Sequence, residues 1–178
     1  MKLLAIDPSG SFDTEKGITG YSIYDLNEQT LLTVGQIRAK DFEQKGDYYE
    51  KHLKLVEKIK PNLIVIEEFT LYPSKASSFY NKELETSQLI GEIEGYARIN
   101  KIEVIKQRAS NIKGALYKPN VLLKAINNQI EHNNLGKRNQ WKFKGKVISN
   151  HIVDSIRHAA YYFNKINREK KEELKWIT

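Results

Sequence analysis

Two short runs of wholly apolar residues, each ending in an acid, constrain this chain more than anything else in it. Leu3-Leu4-Ala5-Ile6 leads into Asp7, and Leu63-Ile64-Val65-Ile66 leads into Glu67. Uninterrupted aliphatic runs of this length suit strands covered on both faces, not the alternating strands of a half-solvated sheet. A carboxylate at the exit of such a strand is costly to desolvate and needs a partner or a task. Ligands of open α/β sheets sit outside the carboxyl ends of the strands. If the two runs are parallel neighbours, Asp7 and Glu67 converge within reach of a common cation.

The remaining elements fit that frame. After the turn-prone Pro8-Ser9-Gly10, Ile18 to Tyr24 alternates and is rich in β-formers, and Thr30 to Ile37 follows a polar turn, so the chain opens as an antiparallel meander. Tyr48 to Lys60 reads as an amphipathic helix stopped by Pro61. Lys82 to Arg98 reads as a second helix with Leu84, Leu89, Ile90 and Ile93 inward, and Ile102 to Ile105 as a short strand. Asn120 to Glu131 is expected as a helix, and a last helix should start near Asn150 and run to about Asn167. The expectation is one α/β domain over residues 1–167, a mixed five-stranded sheet (antiparallel meander plus parallel strands) flanked by helices. Residues 168–178 would form a charged C-terminal tail.

With 178 residues the chain is long enough to bury a core of its own. No stretch approaches the roughly 18 consecutive apolar residues of a membrane span, and no signal-peptide pattern opens it, so a cytoplasmic protein is the simplest reading. Having no cysteine, it forms neither disulfides nor zinc–thiolate sites. The net charge of +7 favours a polyanionic partner, nucleic acid first. Between His132 and Lys146 five basic residues, among them Lys142, Lys144 and Lys146, occur with no acid and with Trp141 and Phe143 interleaved. From Phe69 to Lys82, Tyr72, Phe79 and Tyr80 mix with Lys75. Aromatic faces beside cations suit unpaired bases next to a phosphate track, although solvated loops with partly buried rings have the same composition. The mixed charges from Lys165 to Lys175 instead suit a solvated helical face with i,i+4 pairs.

His151, Asp154 and His158 share one helical stripe at i, i+3 and i+7 within an otherwise apolar segment. Imidazole and carboxylate so placed are divalent-metal ligands or proton-transfer groups. Blander readings stay open: Asp7 capping the turn at Pro8, or Asp154 pairing with Arg157 or Arg108. Strand geometry sends Glu67 and Glu68 to opposite faces without saying which faces the site.

Taken together, these residues resemble the RuvC-type Holliday-junction resolvases of the RNase H-like superfamily, in their bacterial and bacteriophage form, from about residue 3 to 163. Ile6-Asp7-Pro8-Ser9-Gly10 with Thr19-Gly20-Tyr21 resembles the opening signature. Ile66-Glu67-Glu68-Phe69 resembles the segment of the second acid and selects Glu67. Ser87-Gln88-Leu89-Ile90-Gly91 resembles the helix used for dimerisation, and His151-Ile-Val-Asp154-Ser-Ile-Arg-His158-Ala159 resembles the closing motif. The chain departs from the pattern at His151, where many members have Asp. It also departs in a longer loop from Ser11 to Lys16 carrying Asp13 and Glu15, and in the basic, aromatic stretch from Asn133 to Asn150.

The resemblance implies a structure-selective endonuclease that hydrolyses branched DNA with two Mg²⁺ ions (Mn²⁺ substituting) roughly 4 Å apart. It implies Asp7, Glu67, Asp154 and His151 as metal-site and catalytic residues, and a C₂ homodimer with Lys82–Arg98 at the interface. Tyr72, Lys75, Phe79, Tyr80, Lys113, Lys118, Lys142, Lys144, Lys146 and His158 are the expected DNA contacts, with His158 alternatively a group behind the metal ligands. Another RNase H-like nuclease, acting on flaps, forks or RNA/DNA hybrids, and a non-catalytic junction-binding module are the alternatives. A sugar-kinase or actin-like ATPase is disfavoured by the short length and the missing second phosphate loop.

Overall fold

The computed structural model describes residues 1–70, 84–135 and 138–177, with backbone alone at 135, 138, 139 and 174–177. The strands are β1 (Lys2–Asp7), β2 (Ile18–Asp25), β3 (Thr30–Arg38), β4 (Leu63–Glu67) and β5 (Glu103–Gln107), which form one sheet in the order β3-β2-β1-β4-β5. β1 pairs antiparallel with β2 and parallel with β4, and β4 pairs parallel with β5. The mixed five-stranded sheet of the expectation is therefore the observed one.

Strand alternation divides the core in two. Leu3 and Ala5 of β1 and Leu63 and Val65 of β4 pack with Ile152, Val153, Ile156, Ala159, Ala160 and Phe163 of the last helix, α5 (Asn150–Ile177). Leu4, Ile6, Ile64 and Ile66 face the other way, onto Tyr48 and Val56 of α1 (Lys45–Ile59) and Leu89 and Ile93 of α2 (Glu85–Ile99). The same alternation assigns Asp7 and Glu67, the next odd positions, to the α5 side.

Several boundaries differ from the sequence expectation. α1 begins three residues before Tyr48 and ends at Lys60, which takes left-handed φ/ψ just before Pro61. The expected Asn120–Glu131 helix is only α4 (Pro119–Ala125), because Asn127 and Asn128 adopt positive φ and turn the chain into a strand. α3 (Ala109–Leu116) precedes it. The stretch expected as a basic loop is instead a second, antiparallel sheet of β6 (Glu131–Leu135), β7 (Arg138–Phe143) and β8 (Lys146–Ile148). Lys144 and Gly145, both at positive φ, make its two-residue hairpin turn. α5 continues past Asn167 to Ile177, with an exposed Lys165–Glu169 contact of 3.8 Å on its solvent face. Among the described residues no helix is long and apolar enough to cross a membrane.

Candidate active site

β1 and β4 run side by side in register from Leu3↔Leu63 to Ile6↔Ile66, so Asp7 and Glu67 leave the sheet as neighbours at its carboxyl edge. α5 crosses directly over them. Its entry is set by Gly20, the register partner of Asp7 on β2. A Cβ at Gly20 would lie 2.1 Å from the carbonyl carbon of His151, so only glycine lets the helix rest on the sheet there.

Each acid meets a nitrogen from that one helix. His151 Nδ1 lies 2.8 Å from Asp7 Oδ2, His158 Nε2 lies 3.0 Å from Glu67 Oε2, and Arg157 Nη1 donates to Asp154 Oδ1 at 2.6 Å. The Arg157 guanidinium in turn lies 5.3 Å from the ring of Tyr117, an exposed aromatic, and 6.0 Å from that of Trp141. Glu68 points away and accepts from Arg108 Nε at 3.2 Å on the exposed side. Of the two adjacent glutamates, Glu67 is the one that meets α5.

The electrostatics couple the group. Burial pushes the Asp7 carboxyl above its ordinary value; the His151 hydrogen bond opposes this, and the charges of Glu67 and Asp154 add to the rise. His151 is raised, chiefly by its hydrogen bond to Asp7, with the charges of Asp7, Asp154 and Glu67 contributing. Three carboxylates, two of them near enough for their charges to act on the third, joined by an imidazole, are a donor set suited to a hard divalent cation. It is not a preformed cage. Among the described residues no three such groups already converge on one point, and each carboxylate engages an α5 nitrogen instead.

The remaining expected contacts fall around this centre. Lys113, exposed on α3, lines a cavity of about 170 Å³ with Pro8, Glu67, Phe69 and Thr86. Lys144 and Lys146, both exposed, line a groove of about 680 Å³ between β3 and the β7–β8 hairpin, together with Gln36, Val147, Ser149 and Ile152. Gln36 pairs with Gly20, which pairs with Asp7, so the groove opens two strands, about 10 Å, from the acids. Lys142 is half-buried on β7, and Lys118 is exposed at the start of α4. Tyr72, Lys75, Phe79 and Tyr80 lie outside the described residues. Asp13 and Glu15 are exposed in the loop after β1.

Two expectations are corrected. His158 is fully buried and faces Glu67, so of its two expected places it cannot contact a phosphate and the one behind the metal ligands is left. Trp141, 4% exposed, packs in the α5 core beside His132 and Arg157, so it offers no stacking face to a base. Sequence reasoning also missed Gln107 and Tyr117. Gln107 shows itself only as a polar end to β5, and Tyr117 only as an aromatic between Leu116 and Lys118.

No protein-family model and no curated protein matches the chain by sequence. By structure it is similar to Thermus thermophilus RuvC in complex with a Holliday junction substrate, at 14% identity and a TM-score of 0.60 over 90% of this chain and 91% of that one. It is similar too to another Thermus thermophilus RuvC structure, at 13% identity and a TM-score of 0.61 over 94% and 97%. The mixed five-stranded sheet and the helices that flank it thus match the RNase H-like fold of these RuvC structures.

Proposed function

We propose that the chain is a metal-dependent endodeoxyribonuclease that cuts branched DNA, four-way junctions foremost, as a C₂ homodimer. The observation that carries this reading is the meeting of Asp7 and Glu67 at the ends of adjacent parallel strands beneath the helix bearing His151 and Asp154. The RuvC form of the fold supports it, because the similar Thermus protein is seen with a Holliday junction substrate.

In this reading Asp7, Glu67 and Asp154 hold two Mg²⁺ ions, with Mn²⁺ able to substitute. Bound ions of this kind neutralise phosphate charge and acidify water. The chain supplies the remainder. His151 has one nitrogen on Asp7, which leaves Nε2 of a half-exposed ring to take a proton from water. Lys113, beside Glu67, neutralises a phosphate at the cut. Lys144 and Lys146 follow the strand into the groove by β3, whose apolar walls suit sugars and unpaired bases. Two symmetric nicks need two sites, which the dimer provides.

The test is a panel of four-way, three-way, linear duplex and RNA–DNA hybrid substrates with and without Mg²⁺. Expected is Mg²⁺-dependent cutting of the four-way junction by the wild type, with binding retained and cutting abolished in Asp7→Asn and Glu67→Gln. Wild-type cutting by Asp7→Asn would refute the site. Binding with no metal-dependent product from the wild type would leave a junction-binding module.

A further inference from the structure

Of the three nitrogen partners that α5 brings to the acids, His158 is the most deeply buried. The His151 side chain is 43% exposed and that of Arg157 10%, with its Asp154 partner at 29%, whereas the His158 side chain is 0% exposed. A buried imidazole must find a hydrogen-bond partner for each ring nitrogen or carry a desolvation cost. His158 finds both: Glu67 Oε2 lies 3.0 Å from Nε2, and Gln107 Oε1 lies 2.9 Å from Nδ1.

Those two partners are themselves a register pair, Glu67↔Gln107 on β4 and β5, so the imidazole spans two neighbouring strands from the helix above. Gln107 is 6% exposed, which leaves it little freedom to release the ring. A carboxylate oxygen accepts, so a hydrogen on Nε2 is donated to Glu67. Nδ1 faces the Oε1 of Gln107, an oxygen that accepts, so the ring lies between two acceptors that fix its plane. Oε2 of Glu67 is thereby held in place, while Glu67 also lines the cavity beside Lys113.

We propose that His158, itself oriented by Gln107, is a positioning residue that fixes Glu67 for divalent-cation binding. The inference rests on the metal-dependent reading above. It assigns His158 no contact with substrate and no proton to transfer, since it is shut away from both. Partners of this kind contribute about 10–100-fold in metal affinity.

The test is Mn²⁺ binding to the full chain without DNA, followed by the electron paramagnetic resonance signal of free Mn²⁺, which reads affinity independently of cutting. His158→Leu is expected to weaken the Kd by about 10–100-fold. His158→Gln, which keeps an N–H near the Nε2 position, should restore most of it. Gln107→Leu, which leaves the imidazole but frees its ring, should give a smaller loss. Melting in EDTA checks folding; should His158→Leu not fold, Gln107→Leu carries the comparison. Wild-type Mn²⁺ affinity in His158→Leu, or in Gln107→Leu where that variant stands in, would overturn the proposal while leaving the metal-dependent reading intact. A wild-type chain that binds no Mn²⁺ would overturn both.

Discussion

Replacing Gly20 by Ala tests the geometry of the site through one atom. The added carbon would lie 2.1 Å from His151 C, 2.2 Å from its O and 2.5 Å from Ile152 N. All three are backbone atoms at the start of α5, so no rotamer change relieves the overlap. Ordinary contact begins near 3.4 Å, and the helix must therefore lift by more than an ångström. The 2.8 Å hydrogen bond between His151 and Asp7 cannot survive that movement. Overpacking of this kind costs about 1–3 kcal/mol, and misplacing a catalytic group by an ångström costs about 10²-fold in rate. The expected Gly20→Ala protein melts several degrees lower, binds four-way junctions, and cuts them about a hundredfold more slowly in single-turnover assays with saturating Mg²⁺. Gly35→Ala is the control: its Cβ would lie 2.3 Å from the Tyr21 hydroxyl, the far end of a side chain that can rotate away. Wild-type melting and cutting in Gly20→Ala would show that α5 does not bear on β2 there and that His151 is placed by something else.

Other outcomes follow from the same structure. His52, buried between the Tyr48 carbonyl and Thr19, has its pKa lowered by burial to about 4. The unfolded chain takes up that proton below about 6.5 and the folded chain does not. Stability should therefore fall by about 3 kcal/mol as pH drops from 6.5 to 4, beyond the fall shown by His52→Gln in urea titrations; parallel curves would refute the assignment. Changing Lys142, Lys144 and Lys146 together to Ala should weaken junction binding and lower the salt slope by about 1 for each phosphate no longer neutralised; an unchanged slope would move the DNA track elsewhere. Gly95 has open space at its Cβ on α2, so Gly95→Ala should stabilise the helix by about 1 kcal/mol in chemical denaturation, and a loss of stability would mean that something packs closely on that face.

The parts of the fold that could be read from sequence are those where a single physical demand wrote the pattern. Leu3–Ile6 and Leu63–Ile66 had to be apolar on both sides because α5 covers one face and α1 with α2 the other. The parallel pairing of β1 with β4, on which the convergence of Asp7 and Glu67 depended, followed. Choosing Glu67 over Glu68 required knowing which face α5 covers, and alternation alone does not contain that. β7 escaped notice because Trp141 and Phe143, which alternate as strand residues should, are separated and followed by lysines that read as loop. The depth of His158 was equally invisible: the i, i+3, i+7 stripe names a face of α5 but not how far along it the sheet closes over. Gln107 had no meaning until β5 lay beside β4.

That all three acids find their nitrogen partners on one late helix has a consequence for how the chain is made. The five-stranded sheet is complete once Gln107 has been synthesised, yet the groups that compensate its acidic edge arrive only with residues 151–158. Until then Asp7 and Glu67 stand together without compensation. A product ending before residue 150 would carry the residues of the five-stranded sheet without the α5 nitrogens that Asp7 and Glu67 meet.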